Sequence, residues 1–446
     1  MRRVVLGILF SAVVAVLASC TGSSSSAGPV ALTYTYVTGD PTPEILEALS
    51  PIEQLEGIEV RALTVPSEVI PEVLLREPYV LSLSTGSSAI DVYLLDAPWV
   101  KSYSATGWLA PISGGRKEDD GQEIDLSPFR SELLEVTSIR DEKGDRVVLA
   151  LPFQTKGNIL FYRKDLLEDA GFEPPQTWAE LFSQCESILA EKGEGGEAWD
   201  ERLRYGFLFH GKLFINDFYP IMWGFGGGIF DENEELAVDS AENVRALAMI
   251  GKMLGGISPP SSEMQRLGLF DDYSAPDRLF ASGAAIFMVN WNTRLRDLES
   301  GLPGQTIAVD QVGVAPIPGE EAGQSYSNIG SFCWGINYYS HHRDAARRFI
   351  EVITSYEAQR WAALNRGELP SRWDVLRDPE VQRRAPSMLE IAKVFEKVRL
   401  RARPFQREIN DILDFALIET IKGGFDPLQA LEYARREIER ELSLRR

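Results

Sequence analysis

Residues 151–181, LPFQTKGNILFYRKDLLEDAGFEPPQTWAEL, constrain the fold of this chain more than any other stretch. An apolar run ends at Pro152, and a polar elbow follows through Gln154, Thr155, Lys156, Gly157 and Asn158. Residues 159–162 are apolar and read as a short strand. Residues 163–170 read as one helix, which Gly171, Pro174 and Pro175 stop. Thr177 and Glu180 have the spacing of a capping box, so a second helix is expected to open at Trp178.

The same alternation runs along the chain. Residues 32–38 alternate as LTYTYVT and read as a strand that Gly39-Asp40-Pro41 breaks. Residues 43–55 read as a helix and 58–65 as a second strand, whereas 66–90 are ambiguous. Residues 91–95 predict a buried strand, and a helix begins at Asp96-Ala97-Pro98-Trp99. Residues 205–209, 284–289, 312–317 and 332–336 read as further strands. Helices are expected over 214–225, before the glycine run 226–228, and over 241–254 with Asp239 as the cap. An amphipathic helix is expected over 343–354, and Asp426-Pro427 opens the last helix. Strand, loop and helix in turn predict an α/β architecture. A length of 446 residues suggests two or three domain-sized units.

Several function classes are excluded. A net charge of −21 argues against binding nucleic acid, which needs a basic surface. The three histidines, His210, His341 and His342, form no HExxH and no Cys/His spacing, so no metal site is expected from them. There is no phosphate-binding G-x-x-x-x-G-K-[ST], no complete G-x-G-x-x-G and no G-x-S-x-G. No cofactor is expected.

The N-terminus reads as a processing signal. Arg2 and Arg3 precede an uncharged apolar run over residues 4–17. Leu17-Ala18-Ser19-Cys20 resembles the bacterial lipoprotein box. That resemblance implies removal of residues 1–19 and acylation of Cys20, with residues 20–30 as lipidated cysteine and flexible linker. Two cysteines then remain. Cys185 shares a helical face with Trp178, Leu181, Phe182 and Leu189 and reads as a core thiol. Pairing with Cys333 is left open.

The wording of the central stretch resembles the extracellular sugar-binding proteins of ABC importers, the family that includes maltose- and trehalose/maltose-binding proteins. Tyr162-Arg163-Lys164-Asp165-Leu166, Pro174-Pro175 and Trp178 carry the resemblance. It implies a periplasmic-binding-protein-like fold, two α/β lobes joined by a hinge of two or three crossovers near 152–156, 311–313 and 353–355. Lobe 1 would comprise 31–152 plus 313–353, and lobe 2 would comprise 153–312 plus 354–446. It further implies a monomer that does no chemistry and binds a carbohydrate, a di- or oligosaccharide. Its partners would be ABC permease subunits with a separate ATPase, and it would meet the membrane by the lipid anchor alone, outside the cytoplasm.

A sugar offers C–H faces that stack on aromatic rings and hydroxyls that need donors and acceptors. Candidates of both kinds stand at expected strand ends. Asp96 is either a ligand acceptor or an N-cap for the helix at Pro98. Trp99 lies beside it, with core packing as its other reading. Asp40 ends the first strand. Gln154 and Lys156 stand where the trehalose/maltose branch has Tyr and Asp, so either the ligand differs from a plain disaccharide or Lys156 lies in solvent at the hinge. Asn290 and Trp291, in MVNWN, and Trp223, in MWGFGGG, are stacking or polar candidates on the second lobe. Phe332 resembles a family aromatic, and Arg403 resembles the arginine of a C-terminal "RP". Two rival functions remain: a secreted carbohydrate-active enzyme with an unmarked carboxylate pair, and a receptor presenting its ligand to a sensor protein.

Overall fold

The computed structural model describes residues 29–37, 40–65, 72–113, 124–191, 202–209, 214–395, 398–399, 406–423 and 425–444. Cys20, linker residues 21–28 and Arg403 lie outside them. Strands in chain order are β1 (Val30–Val37), β2 (Ile58–Val65), β3 (Val92–Asp96), β4 (Leu109–Ala110), β5 (Ser138–Arg140), β6 (Arg146–Val148), β7 (Ala150–Pro152), β8 (Lys156–Arg163), β9 (Tyr205–Leu208), β10 (Ala285–Trp291), β11 (Val312–Ala315), β12 (Ser327–Gly330), β13 (Phe332–Asn337) and β14 (Val398–Arg399).

They form two mixed sheets and a small hairpin, β5-β6. The first sheet runs β2-β1-β3-β13-β4, with β7 also on β13. The second runs β14-β12-β8-β10-β9, with β11 also on β8. In β3, Val92 to Leu95 are all buried, and so is every residue of β10 before Trp291. Unbroken apolar runs of this kind need cover on both faces, and helices supply it. In helix Arg343–Ile353, Ala346, Phe349, Ile350 and Ile353 are buried. The Phe349 ring lies 4.8 Å from Tyr34 of β1 and 5.9 Å from Trp334 of β13. On the second sheet, helices Trp178–Glu191, Phe214–Gly224, Gln406–Ile421 and Pro427–Ser443 share one core with Leu160, Phe207 and Val289.

Local chemistry explains the element ends. The Glu180 amide donates to Thr177 Oγ1 (3.2 Å), and Glu180 Oε2 accepts the amides of Gln176 (2.7 Å) and Thr177 (3.2 Å). This is the capping box expected from the sequence. Two expectations need correction. The helix foreseen over 43–55 ends at Ala48, with a separate 3-10 turn at Glu53–Leu55. Pro51 lacks the amide that a continued helix would use. Helix Ala241–Met253 is capped by Ser240, which accepts the Asn243 amide, while Asp239 pairs with Arg435 at 2.7 Å. Cys185 and Cys333 are both free and buried, one in the core of each lobe.

The chain passes between the sheets directly where β7 gives way to β8, through residues 153–155, and where β12 gives way to β13, at Ser331. The return expected at 311–313 is therefore corrected. β11 is antiparallel to β8, with Val312 opposite Arg163, so the chain stays in the second lobe until Gly330. A third passage lies later than 353–355. Helix Tyr356–Arg366 still gives Ala358 and Ala362 to the first lobe's core, and Ala363 to the second lobe's. Residues 367–371 then run along the hinge: Leu369 O accepts the Thr155 amide (2.8 Å) and Ser371 Oγ donates to Pro152 O (2.7 Å). Among the described residues, no helix is long and apolar enough to cross a membrane.

Candidate functional site

Strand direction decides which side chains meet. β1 and β3 are parallel and β13 is antiparallel to β3 and β7. The C-terminal ends of β1, β3 and β7 therefore share one edge with the start of β13. That edge collects Asp40, Asp96, Gln154 and Phe332. In the second sheet, β10 and β12 end where antiparallel β8 begins, which collects Trp291, Gly330 and Lys156. Because β7 runs straight into β8 and β12 into β13, the two edges face each other across the hinge. Ligands of open α/β sheets bind beyond such carboxyl ends.

The register brings the candidates close. Phe332 lies opposite Asp96, Gly330 opposite Lys156, and Trp291 opposite Asn158. Gly330 sits between the lobes' two main candidates. A Cβ built there would lie 3.2 Å from Trp291 Cη2, 3.3 Å from Trp291 Cζ3 and 4.0 Å from Asp96 Oδ1. A ring from the second lobe and a carboxylate from the first thus face the same few ångströms. Both side chains are half-buried. Asp96 holds the N-cap position of helix Ala97–Ala105, yet its side chain caps no amide of that helix. Helix Gln406–Ile421 of the second lobe also lies against helix Ala97–Ala105, so the lobes touch beyond the hinge.

Asp40 and Gln154 form the other end of the floor. Asp40 Oδ1 accepts the Thr42 amide (2.9 Å), and Asp40 Oδ2 accepts from Gln154 Nε2 (3.4 Å). Burial pushes the Asp40 carboxyl up to about 6; the Thr42 hydrogen bonding and Lys156 pull the other way, and Glu368 adds to the rise. Lys156 Nζ stands over the Phe332 ring, 4.5 Å from its centroid. Gln154 Oε1, Asn158 Nδ2 and Ser331 Oγ are buried polar atoms with no hydrogen-bond partner among the described residues. All three lie buried at or next to the two crossovers.

Sequence reasoning did not single out Glu368. It is 6% exposed, its Oε1 accepts from Arg296 (3.2 Å), and it lies close enough to raise Asp40. The local signal was the left-handed stop at Gly367 (φ 64°) before Leu369-Pro370, a second polar elbow of the kind at Pro152. Other candidates build the lobes instead. Asn290 is fully buried; its amide donates to Asp277 Oδ1 (2.7 Å) and its carbonyl accepts the Trp291 amide (2.8 Å). Trp223 is 6% exposed in the second lobe's core, 5.1 Å from the Tyr219 ring. Both side chains lie buried within the second lobe. Trp99 is half-buried among Tyr79 (6.4 Å) and Tyr103 (6.3 Å), part of the first lobe's aromatic packing. Among the described residues no group of three or more His, Cys, Asp or Glu is placed to hold a metal ion.

Residues 39–360 match the model of a family described as bacterial extracellular solute-binding proteins, well over half of the chain. The chain belongs to that family. Among relatives of this solute-binding protein, a probable ABC transporter-binding protein of Deinococcus radiodurans is 24% identical over 344 residues, 76% of this chain and 75% of that one. A mannitol-binding protein of Pseudomonas aeruginosa is 26% identical over 298 residues, 64% of this chain and 61% of that one. Maltose-bound MalE3 of T. maritima has a similar structure, with a TM-score of 0.73 and 26% identity over 92% of this chain and 99% of that one. The fold is thus the two-lobed α/β fold of solute-binding proteins, and the family consists of transport binding proteins.

Proposed function

We propose that this solute-binding protein captures a carbohydrate or polyol between its lobes, outside the cytoplasm, and hands it unaltered to the permease of an ABC importer. The observation that carries the reading is Gly330, where a Cβ would come within 4.0 Å of both the Trp291 ring of one lobe and the Asp96 carboxylate of the other. A sugar presents a C–H face and hydroxyls side by side. A half-buried indole and a carboxylate on either side of one glycine match that surface, and neither alone binds it well. Ligand contact with both lobes favours their closed arrangement, the form that would dock on a permease. Energy for transport comes from a separate ATPase. Acylation of Cys20 ties the protein to the membrane surface through its linker, and the protein acts as a monomer.

The test is a thermal-shift and calorimetric screen of residues 20–446 carrying Cys20→Ser, with sugars, oligosaccharides and polyols. A ligand at a hundredfold excess over its Kd stabilises by about 2.7 kcal/mol. The reading expects at least one saccharide or polyol to raise the melting temperature, and that rise to vanish in Trp291→Ala. If no member of the panel shifts the folded protein, or if amino acids alone do, the proposal is wrong. Turnover of a bound oligosaccharide would refute the binding-only reading.

A further inference from the structure

A ligand with two sugar rings needs two platforms, one for each C–H face. Two half-buried rings flank the strand crossover, Trp291 at the end of β10 and Phe332 at the start of β13. They are not equivalent. The Trp291 ring meets Gly330, which has no side chain, on the side that faces Asp96. The Phe332 ring packs on the first lobe's core and carries the Lys156 ammonium over its face, 4.5 Å from the centroid. Lys156 belongs to β8 of the second lobe, and its register opposite Gly330 fixes where its side chain starts. The lysine side chain thus lies across the ring face, where its ammonium meets the ring quadrupole. The second platform therefore has an occupant from the chain itself.

We propose that Lys156 sets ligand size, by covering Phe332 so that the cleft takes a polyhydroxy ligand with one stacking face, a monosaccharide or a polyol of similar length, in preference to an oligosaccharide. This rests on the carbohydrate reading above and narrows it. The half-buried Asp40 and Asp96 supply carboxylate acceptors for the hydroxyls of such a compact ligand. A second sugar ring beside it would have to push the ammonium off Phe332 and away from Asp40, and would gain only the stacking that this displacement vacates.

The test measures affinities for D-mannitol, ribitol, D-glucose, D-galactose, maltose and maltotriose in residues 20–446 with Cys20→Ser, and in the same protein carrying Lys156→Ala or Lys156→Met. Alanine uncovers the ring; methionine keeps the cover and drops the charge. The parent protein should bind its best single-ring or polyol ligand about tenfold more tightly than either oligosaccharide, in line with one aromatic platform. Lys156→Ala should narrow that ratio about tenfold with an unchanged melting temperature, and Lys156→Met should keep the parent ranking. The proposal is overturned if the parent prefers maltotriose, if alanine shifts all affinities by one common factor, or if methionine acts like alanine. If the folded parent binds nothing in the panel, the carbohydrate reading itself falls and this inference with it. A parent that binds sugars with an unmoved ratio in Lys156→Ala leaves that reading intact and rejects only the role of Lys156.

Discussion

Gly330→Ala is the smallest change that separates the cleft from the fold. The backbone at Gly330 is not in the left-handed region, so alanine meets no conformational penalty and should gain about 0.4–1 kcal/mol from a stiffer unfolded chain. Against that stands the new methyl, 3.2 and 3.3 Å from the edge of the Trp291 ring. Those contacts are a few tenths of an ångström too tight. Trp291 is half-exposed at the end of its strand, so its ring can swing aside at small cost. Folding stability should stay within about 1 kcal/mol of the parent. Binding should not. The methyl fills the space between the ring and Asp96 Oδ1, where the ligand has to touch both. Loss of one aromatic contact, about 0.5–1.5 kcal/mol, and one hydrogen bond to a charged group, about 1.5–3 kcal/mol, predicts affinity weaker by about 30- to 2000-fold. Calorimetric titration of the tightest ligand, beside thermal melts of both proteins, reads the two quantities separately. Unchanged affinity in a folded variant would refute the reasoning, and so would a binding loss matched by a large fall in melting temperature.

Four other outcomes are expected. Trp291→Ala should weaken binding with little change in stability, whereas Trp223→Ala, which empties a buried site in the second lobe's core, should cost about 3–5 kcal/mol of stability in denaturant titrations. Burial holds the Asp40 carboxyl near 6, above its unfolded value, so the folded chain keeps a proton that the unfolded chain releases. Its contribution is full below about pH 4 and is lost as pH rises through 6; denaturant titrations should show Asp40→Asn flattening that part of the pH profile and stabilising the protein at pH 7. Burial also pushes both thiols up, and each lies in a separate core, so a thiol reagent should label neither Cys185 nor Cys333 in native protein and both after denaturation. In bacterial cells, Cys20→Ser should move the full chain from the membrane fraction to the soluble one, as fractionation and blotting would read.

Much of the fold was legible because its signals are local. The box at Thr177 and Glu180 involves neighbours in sequence, and the buried runs of β3 and β10 announce themselves by composition. Strand ends place Asp40, Asp96, Trp291 and Phe332 on facing edges once the sheets form. What sequence could not give was pairing. The run VGVA of β11 would suit either sheet, and only its register with β8 assigns it to the second lobe. Trp223 and Asn290 looked polar or exposed from their neighbours. Their surroundings come from afar: Asn290 bonds Asp277 on a separate helix, and Trp223 joins a core built partly by the C-terminal helices. Lys156 reads as a solvent lysine until Phe332 is placed beneath it by the β12–β13 crossover. Glu368 carried no motif, because its meaning depends on Arg296 and Asp40, each far away in the chain.

The account stands most directly on where a bound ligand sits. A crystal structure of the protein with the tightest ligand from the screen is predicted to show one sugar face on Trp291 and a hydroxyl on the Asp96 carboxylate, with Lys156 still over Phe332. A ligand held by one lobe alone, or lying away from Gly330, would contradict it.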